Sequence, residues 1–123
     1  MKLRLRGNSV RLRLNQREVE ALAAGRVLSE GVLFPAGNSF VYTLEPSAAS
    51  TPAVSFRDGV ICIKAPASTL HEWATNDSIG LYFDLPGIGS SLKVTIEKDL
   101  ECVNESAEER DPYAYPRGND SQC

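Results

Sequence analysis

This 123-residue chain is poor in the side chains that usually carry chemistry. It has one histidine (His71), one tryptophan (Trp73) and three cysteines (Cys62, Cys102 and Cys123). A nucleophile paired with a histidine base needs hydrogen-bond reach and a third group to orient the base. Cys62 and Ser68 are near His71 in sequence, but Cys62 falls at a strand position and no orienting group accompanies them. His71 therefore reads as a surface residue. Cys102, Cys123 and one distant histidine are a poor zinc set. Glu105, Glu108, Glu109 and Asp111 lack the fixed spacing and glycine turn of a calcium loop. Gly87-Ile-Gly89 is a lone glycine pair in a turn, not a phosphate loop. No metal site and no cofactor is expected. An odd number of widely spaced cysteines argues against a disulfide framework. No apolar run follows the charged start, so neither a secretory signal nor a membrane span is expected, and the expected setting is cytoplasmic with reduced thiols.

What the chain does have is an opening hairpin, Lys2-Leu-Arg-Leu-Arg-Gly-Asn-Ser-Val-Arg-Leu-Arg-Leu14. Basic and apolar residues alternate on both sides of Gly7-Asn8, the pattern of two half-buried strands around a two-residue turn. That turn predicts the register: Arg6 opposite Ser9, Leu5 opposite Val10, Arg4 opposite Arg11, Leu3 opposite Leu12 and Lys2 opposite Arg13. Leu3, Leu5, Val10, Leu12 and Leu14 then share one face, and Lys2, Arg4, Arg6, Arg11 and Arg13 the other. Directly opposed like charges cost roughly 0.2–1 kcal/mol each unless something neutralises them. Either the side chains splay into water, or carboxylates of this chain or an anionic ligand lie over the face. These five cations are the candidate anion-binding residues.

Asn15 followed by Glu18 is a capping box and predicts a helix with Val19, Leu22 and Ala23 buried, stopped by Gly25. Strands are expected over 27–34 and 39–45, with a flexible connection over 46–52. The plan then recurs: strands 53–57 and 60–65 around Asp58-Gly59, a short helix from Pro66 burying Leu70, Trp73 and Ala74, and strands 79–85 and 91–98. At an offset of 51, Val10 and Leu12 fall on Ile61 and Ile63, Val19 and Leu22 on Leu70 and Trp73, and Leu28 on Ile79. One extra residue in the last turn would shift Leu44 and Glu45 onto Ile96 and Glu97. The expectation is an α+β domain over residues 1–98 built of two ββαββ pseudo-repeats, 1–45 and 53–98. Its mainly antiparallel strands would form an open sheet with both helices on one side, or an eight-stranded barrel.

Charge is divided along the chain. Residues 1–98 carry 11 basic and 9 acidic side chains, whereas residues 99–123 carry 2 and 7. The last stretch reads as an acidic tail, either disordered or lying over the basic hairpin, with Tyr113, Tyr115 and Pro116 as its anchors.

The opening hairpin with Gln16-Arg-Glu-Val19, and the later Val94-Thr-Ile-Glu-Lys-Asp-Leu-Glu-Cys102 with Tyr115-Pro116, resemble a family of small bacterial proteins of unknown function. The resemblance spans nearly the whole chain; Leu100 stands where family members tend to have Phe. It implies a bacterial single-domain protein and no particular activity. Gly7-Asn8-Ser9 is similar to the start of swapped-hairpin antitoxin and transition-regulator DNA-binding domains, which are much shorter dimeric modules without an acidic tail. The duplicated charged plan also resembles triphosphate-tunnel enzymes, but their alternating glutamates are replaced here by Lys-Leu-Arg-Leu-Arg, which removes the metal-binding half of that mechanism.

Two functions follow. One is a non-enzymatic binding module whose basic hairpin holds an anionic ligand or an acidic protein segment. Nucleic acid is disfavoured because the hairpin's apolar residues are aliphatic and the chain is acidic. The other is a small enzyme on a phosphorylated substrate, with arginine clamps and with Glu45 and Glu97 as metal or base groups. The second requires those carboxylates and the arginines to meet in one cavity.

Overall fold

The structure, a computed structural model, describes residues 1–100 and 112–116. The acidic stretch expected to form the tail lies mostly outside the described residues.

Eight strands and two helices follow in the order β1 (Lys2–Arg6), β2 (Ser9–Leu14), α1 (Gln16–Ala23), β3 (Leu28–Leu33), β4 (Ser39–Ser47), β5 (Ala53–Arg57), β6 (Val60–Pro66), α2 (Ala67–Thr75), β7 (Gly80–Leu85) and β8 (Leu92–Lys98). The class is α+β and the order ββαββ runs twice, as expected. The expected flexible connection is shorter than anticipated, because β4 continues through Pro46 to Ser47.

The strands neither close into a barrel nor lie in one sheet. They form two open four-stranded sheets, β1-β2-β8-β7 and β3-β4-β6-β5. Each sheet takes one hairpin from each half of the chain. Parallel pairs, β2 with β8 and β4 with β6, join the hairpins at the centre, and the outer pairings are antiparallel. The chain changes sheet at each helix: α1 joins β2 of the first sheet to β3 of the second, and α2 joins β6 of the second to β7 of the first.

One core results, with corresponding contributions from both halves. Leu12 and Leu14 of β2, Leu44 of β4, Ile63 and Ala65 of β6 and Ile96 of β8 are buried together with Val19 and Leu22 of α1 and Leu70 and Trp73 of α2. The Trp73 indole N–H is satisfied by the Ile79 carbonyl at 3.1 Å. Leu5 is the exception on the apolar face. It points the expected way but remains 56% exposed, because β1 is an edge strand that an open pair of sheets leaves uncovered.

The hairpin register is the predicted one at all five pairs. Of the turn residues, only Gly7 takes positive φ, at 55°. In the β5–β6 turn both Asp58 and Gly59 do, at 50° and 77°, the mirror-image turn whose twist suits a hairpin. The alignment of the two halves needs one correction. In the ladders Leu28 opposes Leu44 and Leu81 opposes Ile96, so Leu28 corresponds to Leu81 and not to Ile79. Relative to the first half, two positions are added before β7 and one is dropped between the paired positions of β7 and β8. A two-residue shift keeps every side chain on its own face, which is why the apolar pattern concealed it.

The α1 capping box is complete: Glu18 N donates to Asn15 Oδ1 and Asn15 N to Glu18 Oε1, both at 2.9 Å. The other Glu18 oxygen accepts from the buried ammonium of Met1, which also donates to Glu30 at 2.7 Å. The Tyr42 hydroxyl lies 2.7 Å from the Met1 carbonyl oxygen and 2.9 Å from Glu30. Burial alone would lower the ammonium pKa, but the hydrogen bonds and charges of Glu18 and Glu30 outweigh it and hold the group above its usual value. Burial and Glu30 push the Tyr42 hydroxyl up as well. The described residues 112–116 pack against the start of α1 and the residue that follows β8. Gln16 N donates to the Tyr113 carbonyl at 3.0 Å, Tyr115 N to the Asp99 carbonyl at 2.7 Å, and the Arg17 guanidinium sits 4.1 Å above the Tyr113 ring.

Candidate functional site: the outer face of the first sheet

The pairings of β1, β2, β8 and β7 lay out this face in rows. One row runs Lys2, Arg13, Glu97, Gly80. The next runs Arg4, Arg11, Thr95, Tyr82, and the third Arg6, Ser9, Lys93, Asp84. All five cations singled out from the sequence therefore share one surface, concentrated on its β1–β2 side. Lys2, Arg4 and Arg6 are exposed, and Arg11 and Arg13 are half-buried. A shallow depression of about 160 Å³ is lined by Lys2, Leu3, Arg4, Arg11 and Arg13. A second of about 150 Å³ is lined by Arg4, Arg6, Ser9 and Arg11.

Two cations are occupied by carboxylates of the same chain. Arg11 Nε bonds the Glu97 carboxylate, and Lys2 Nζ lies 2.9 Å from Asp99 Oδ2. Asp99 is only 3% exposed. It is fixed by its own backbone, whose N–H donates to the Leu14 carbonyl at 2.7 Å. Arg4, Arg6 and Arg13 have no ion pair among the described residues. Both sequence readings thus hold in part: some of the charge is neutralised internally and the remainder faces outward.

Glu45 is elsewhere. It lies on β4 in the other sheet and accepts a hydrogen bond from the Cys62 thiol at 2.6 Å. Burial, then Glu45, push the thiol pKa up. The two halves place Glu45 and Glu97 at corresponding positions of separate sheets, so they do not meet in one cavity and the arrangement required by the phosphorylated-substrate enzyme is not formed. His71 is exposed on α2. Among the described residues no group of three or more His, Cys, Asp or Glu side chains could hold a metal ion, and no helix is long and apolar enough to cross a membrane.

The chain matches, over residues 1–118, the model of a family of unknown function, DUF7009. It belongs to that family. No curated protein matches this DUF7009 chain, and no solved structure matches it.

Sequence reasoning missed two groups that shape the site in this DUF7009 chain. Asp99 is the first; its partner Lys2 is 97 positions away, and nothing local marks the pair. Lys98 is the second. It is 6% exposed on the inner side of β8, donates to the Asn76 carbonyl at 2.7 Å, and lies 5.5 Å from the Trp73 ring centroid and 5.8 Å from that of Tyr115. Burial lowers its pKa, opposed by the charge of Asp77. A signal was present: Lys98 has the same strand parity as Val94 and Ile96. Its surroundings satisfy it, and its role is structural.

Proposed function

We propose that this DUF7009 chain is a non-enzymatic binding module that holds an anionic partner on the β1–β2 face. The observation that carries this reading is the imbalance left after internal pairing: Arg4, Arg6 and Arg13 present guanidinium groups beside two shallow depressions with no carboxylate of the described chain upon them. Planar guanidinium groups suit bidentate bonding to carboxylate or phosphate. Lys2 and Arg11, already held by Asp99 and Glu97, contribute field more than direct contacts. Tyr82, 69% exposed, is the one aromatic in the three rows, a thin stacking platform for nucleic acid. An acidic protein segment therefore fits better. The binding unit in this reading is residues 1–98, in a cytoplasmic setting.

Thermal unfolding with polyphosphate, polyglutamate and single-stranded oligonucleotide tests it, because a ligand of the folded state raises the midpoint. The expected result is a rise with at least one polyanion that shrinks as salt increases. The triple variant Arg4→Ala, Arg6→Ala, Arg13→Ala should abolish the rise and leave the ligand-free midpoint unchanged or higher, because it removes like-charge neighbours. No rise with any anion at low salt would defeat the reading. A further consequence concerns Glu97. Glu97→Gln frees Arg11 for the ligand and should strengthen polyanion binding severalfold, at a stability cost of no more than about 1 kcal/mol for a partly exposed pair.

A further inference from the structure

We infer that the anionic partner is an extended acidic peptide segment, bound by strand addition to the free edge of β1. The inference rests on the anion-binding reading above and adds how the partner docks.

The edge itself is the first observation. Among the described residues β1 ends its sheet and pairs only with β2. Lys93 N donates to the Asn8 carbonyl and Asp99 N to the Leu14 carbonyl, so the even-numbered positions of β2 direct their backbone groups toward β8 and the odd-numbered ones toward β1. Ser9, Arg11 and Arg13 oppose Arg6, Arg4 and Lys2. The N–H and C=O groups of Leu3 and Leu5 consequently point away from the sheet, and among the described residues nothing bonds to them. They form a template for one more strand.

The side chains say which strand. An added strand alternates its residues between the two faces of the sheet. On the outer face they would lie beside Arg4 and Arg6, where carboxylates are favoured. On the inner face they would lie beside Leu3 and the 56% exposed Leu5, where an aliphatic side chain would cover surface the sheets leave open. The segment called for alternates acidic and aliphatic residues, the complement of β1 itself. A second copy of β1 is a poor occupant, since self-pairing sets cations against cations. The other edges lack this character: β3 carries Glu30, β7 carries Asp84, and β5 has Ala53, Ser55 and Arg57 where β1 has Lys2, Arg4 and Arg6.

The test is fluorescence anisotropy of the full chain with labelled peptides at about 50 and 150 mM salt. A peptide alternating Glu and Val is compared with one of the same composition whose Glu residues are blocked together, and with the alternating peptide N-methylated on the amides that would pair with β1. Strand addition predicts that the alternating peptide binds and that each control is weaker by about tenfold or more. Arg4→Glu with Arg6→Glu should transfer the preference to an alternating Lys-Val peptide, with the circular dichroism spectrum unchanged. Equal, salt-sensitive binding of all three acidic peptides would overturn strand addition while leaving the anion-binding reading intact. Tighter binding of a single-stranded oligonucleotide than of the alternating peptide would overturn it in favour of nucleic acid. Failure of every peptide, polyphosphate and oligonucleotide to bind would defeat both proposals together.

Discussion

Trp73→Ala should lower the unfolding free energy by about 3–5 kcal/mol, while Leu5→Ala should change it by no more than about 0.5 kcal/mol. Both residues carry large apolar side chains on core-facing positions of their elements, and the difference lies in what covers them. Trp73 is 1% exposed and Leu5 is 56% exposed. Removing the indole opens a cavity between α2 and the sheets, leaves the Ile79 carbonyl with the Lys98 backbone N–H alone, and strips one ring from the buried Lys98 ammonium. Leu5 has little to lose, because the sheet edge beside it is open. Urea unfolding followed by circular dichroism measures both, and an unchanged denaturant slope would mark the loss as one of native stability. Fluorescence cannot serve, since Trp73 is the chain's only tryptophan. A Leu5→Ala loss as large as that of Trp73→Ala would mean that β1 is covered and the sheets are closed. Leu5→Asp sharpens the contrast. In a barrel it would bury a charge and unfold the domain, whereas at the observed edge it should be tolerated.

The hairpin was legible because its turn leaves one register and its alternation leaves one face for each residue. The α1 start was legible because Asn15 and Glu18 satisfy each other locally. The exchange of hairpins between sheets was not legible. β2, β4, β6 and β8 all carry the same apolar alternation, and that pattern says which face is buried without saying which strand lies alongside. The two-residue slip before β7 escaped for the same reason. Within the site, the shared face of Lys2, Arg4, Arg6, Arg11 and Arg13 followed from alternation alone. Glu97 stood out as a candidate carboxylate because it lies near the end of the last strand of its half. Its counterpart Glu45 looked equivalent in sequence and is equivalent in position, but the exchange puts it in the other sheet, beside Cys62. Contacts that join distant segments without a periodic pattern, such as Lys2 with Asp99 and Met1 with Glu18 and Glu30, had no sequence signal.

The structure also separates the chain's cations by what they do. Lys98 is buried against aromatic rings and a carbonyl. Lys2 and Arg11 tie β1 and β2 to carboxylates at and beyond the end of β8. Among the described residues Arg4, Arg6 and Arg13 take no part in such ties. Charges that repel each other along an edge protect it against self-association. The same charges make that edge selective for a strand of opposite sign, so protection and recognition need not be separate properties of β1.

In a chain that begins at Met1, Glu18→Ala should cost about 3 kcal/mol, well beyond the ~1 kcal/mol expected for Asn15→Ala. Asn15→Ala removes one side of the helix cap. Glu18→Ala removes the other side and also takes a carboxylate from the buried Met1 ammonium. Glu30 still holds that charge, which keeps the cost at the low end for a broken buried pair. The pH dependence distinguishes the two roles. The ammonium pKa is raised above its ordinary value of 8.0 and the Tyr42 hydroxyl above 10.0. In each case the folded state holds its proton more tightly than the unfolded chain. Above pH 8 the unfolded state therefore binds fewer protons, and stability falls as pH rises. The stabilisation from the ammonium is fully present below pH 8 and is lost as pH climbs through the folded-state value; that from Tyr42 is lost at higher pH. Glu18→Gln keeps an oxygen for the cap but removes the charge, so its stability should be lower at neutral pH and should fall less steeply between pH 8 and 10. Urea midpoints of wild type, Asn15→Ala and Glu18→Gln across that range measure both effects. Parallel curves for all three proteins would show that the Met1 ammonium gains nothing from Glu18 and that the residue serves only to cap α1.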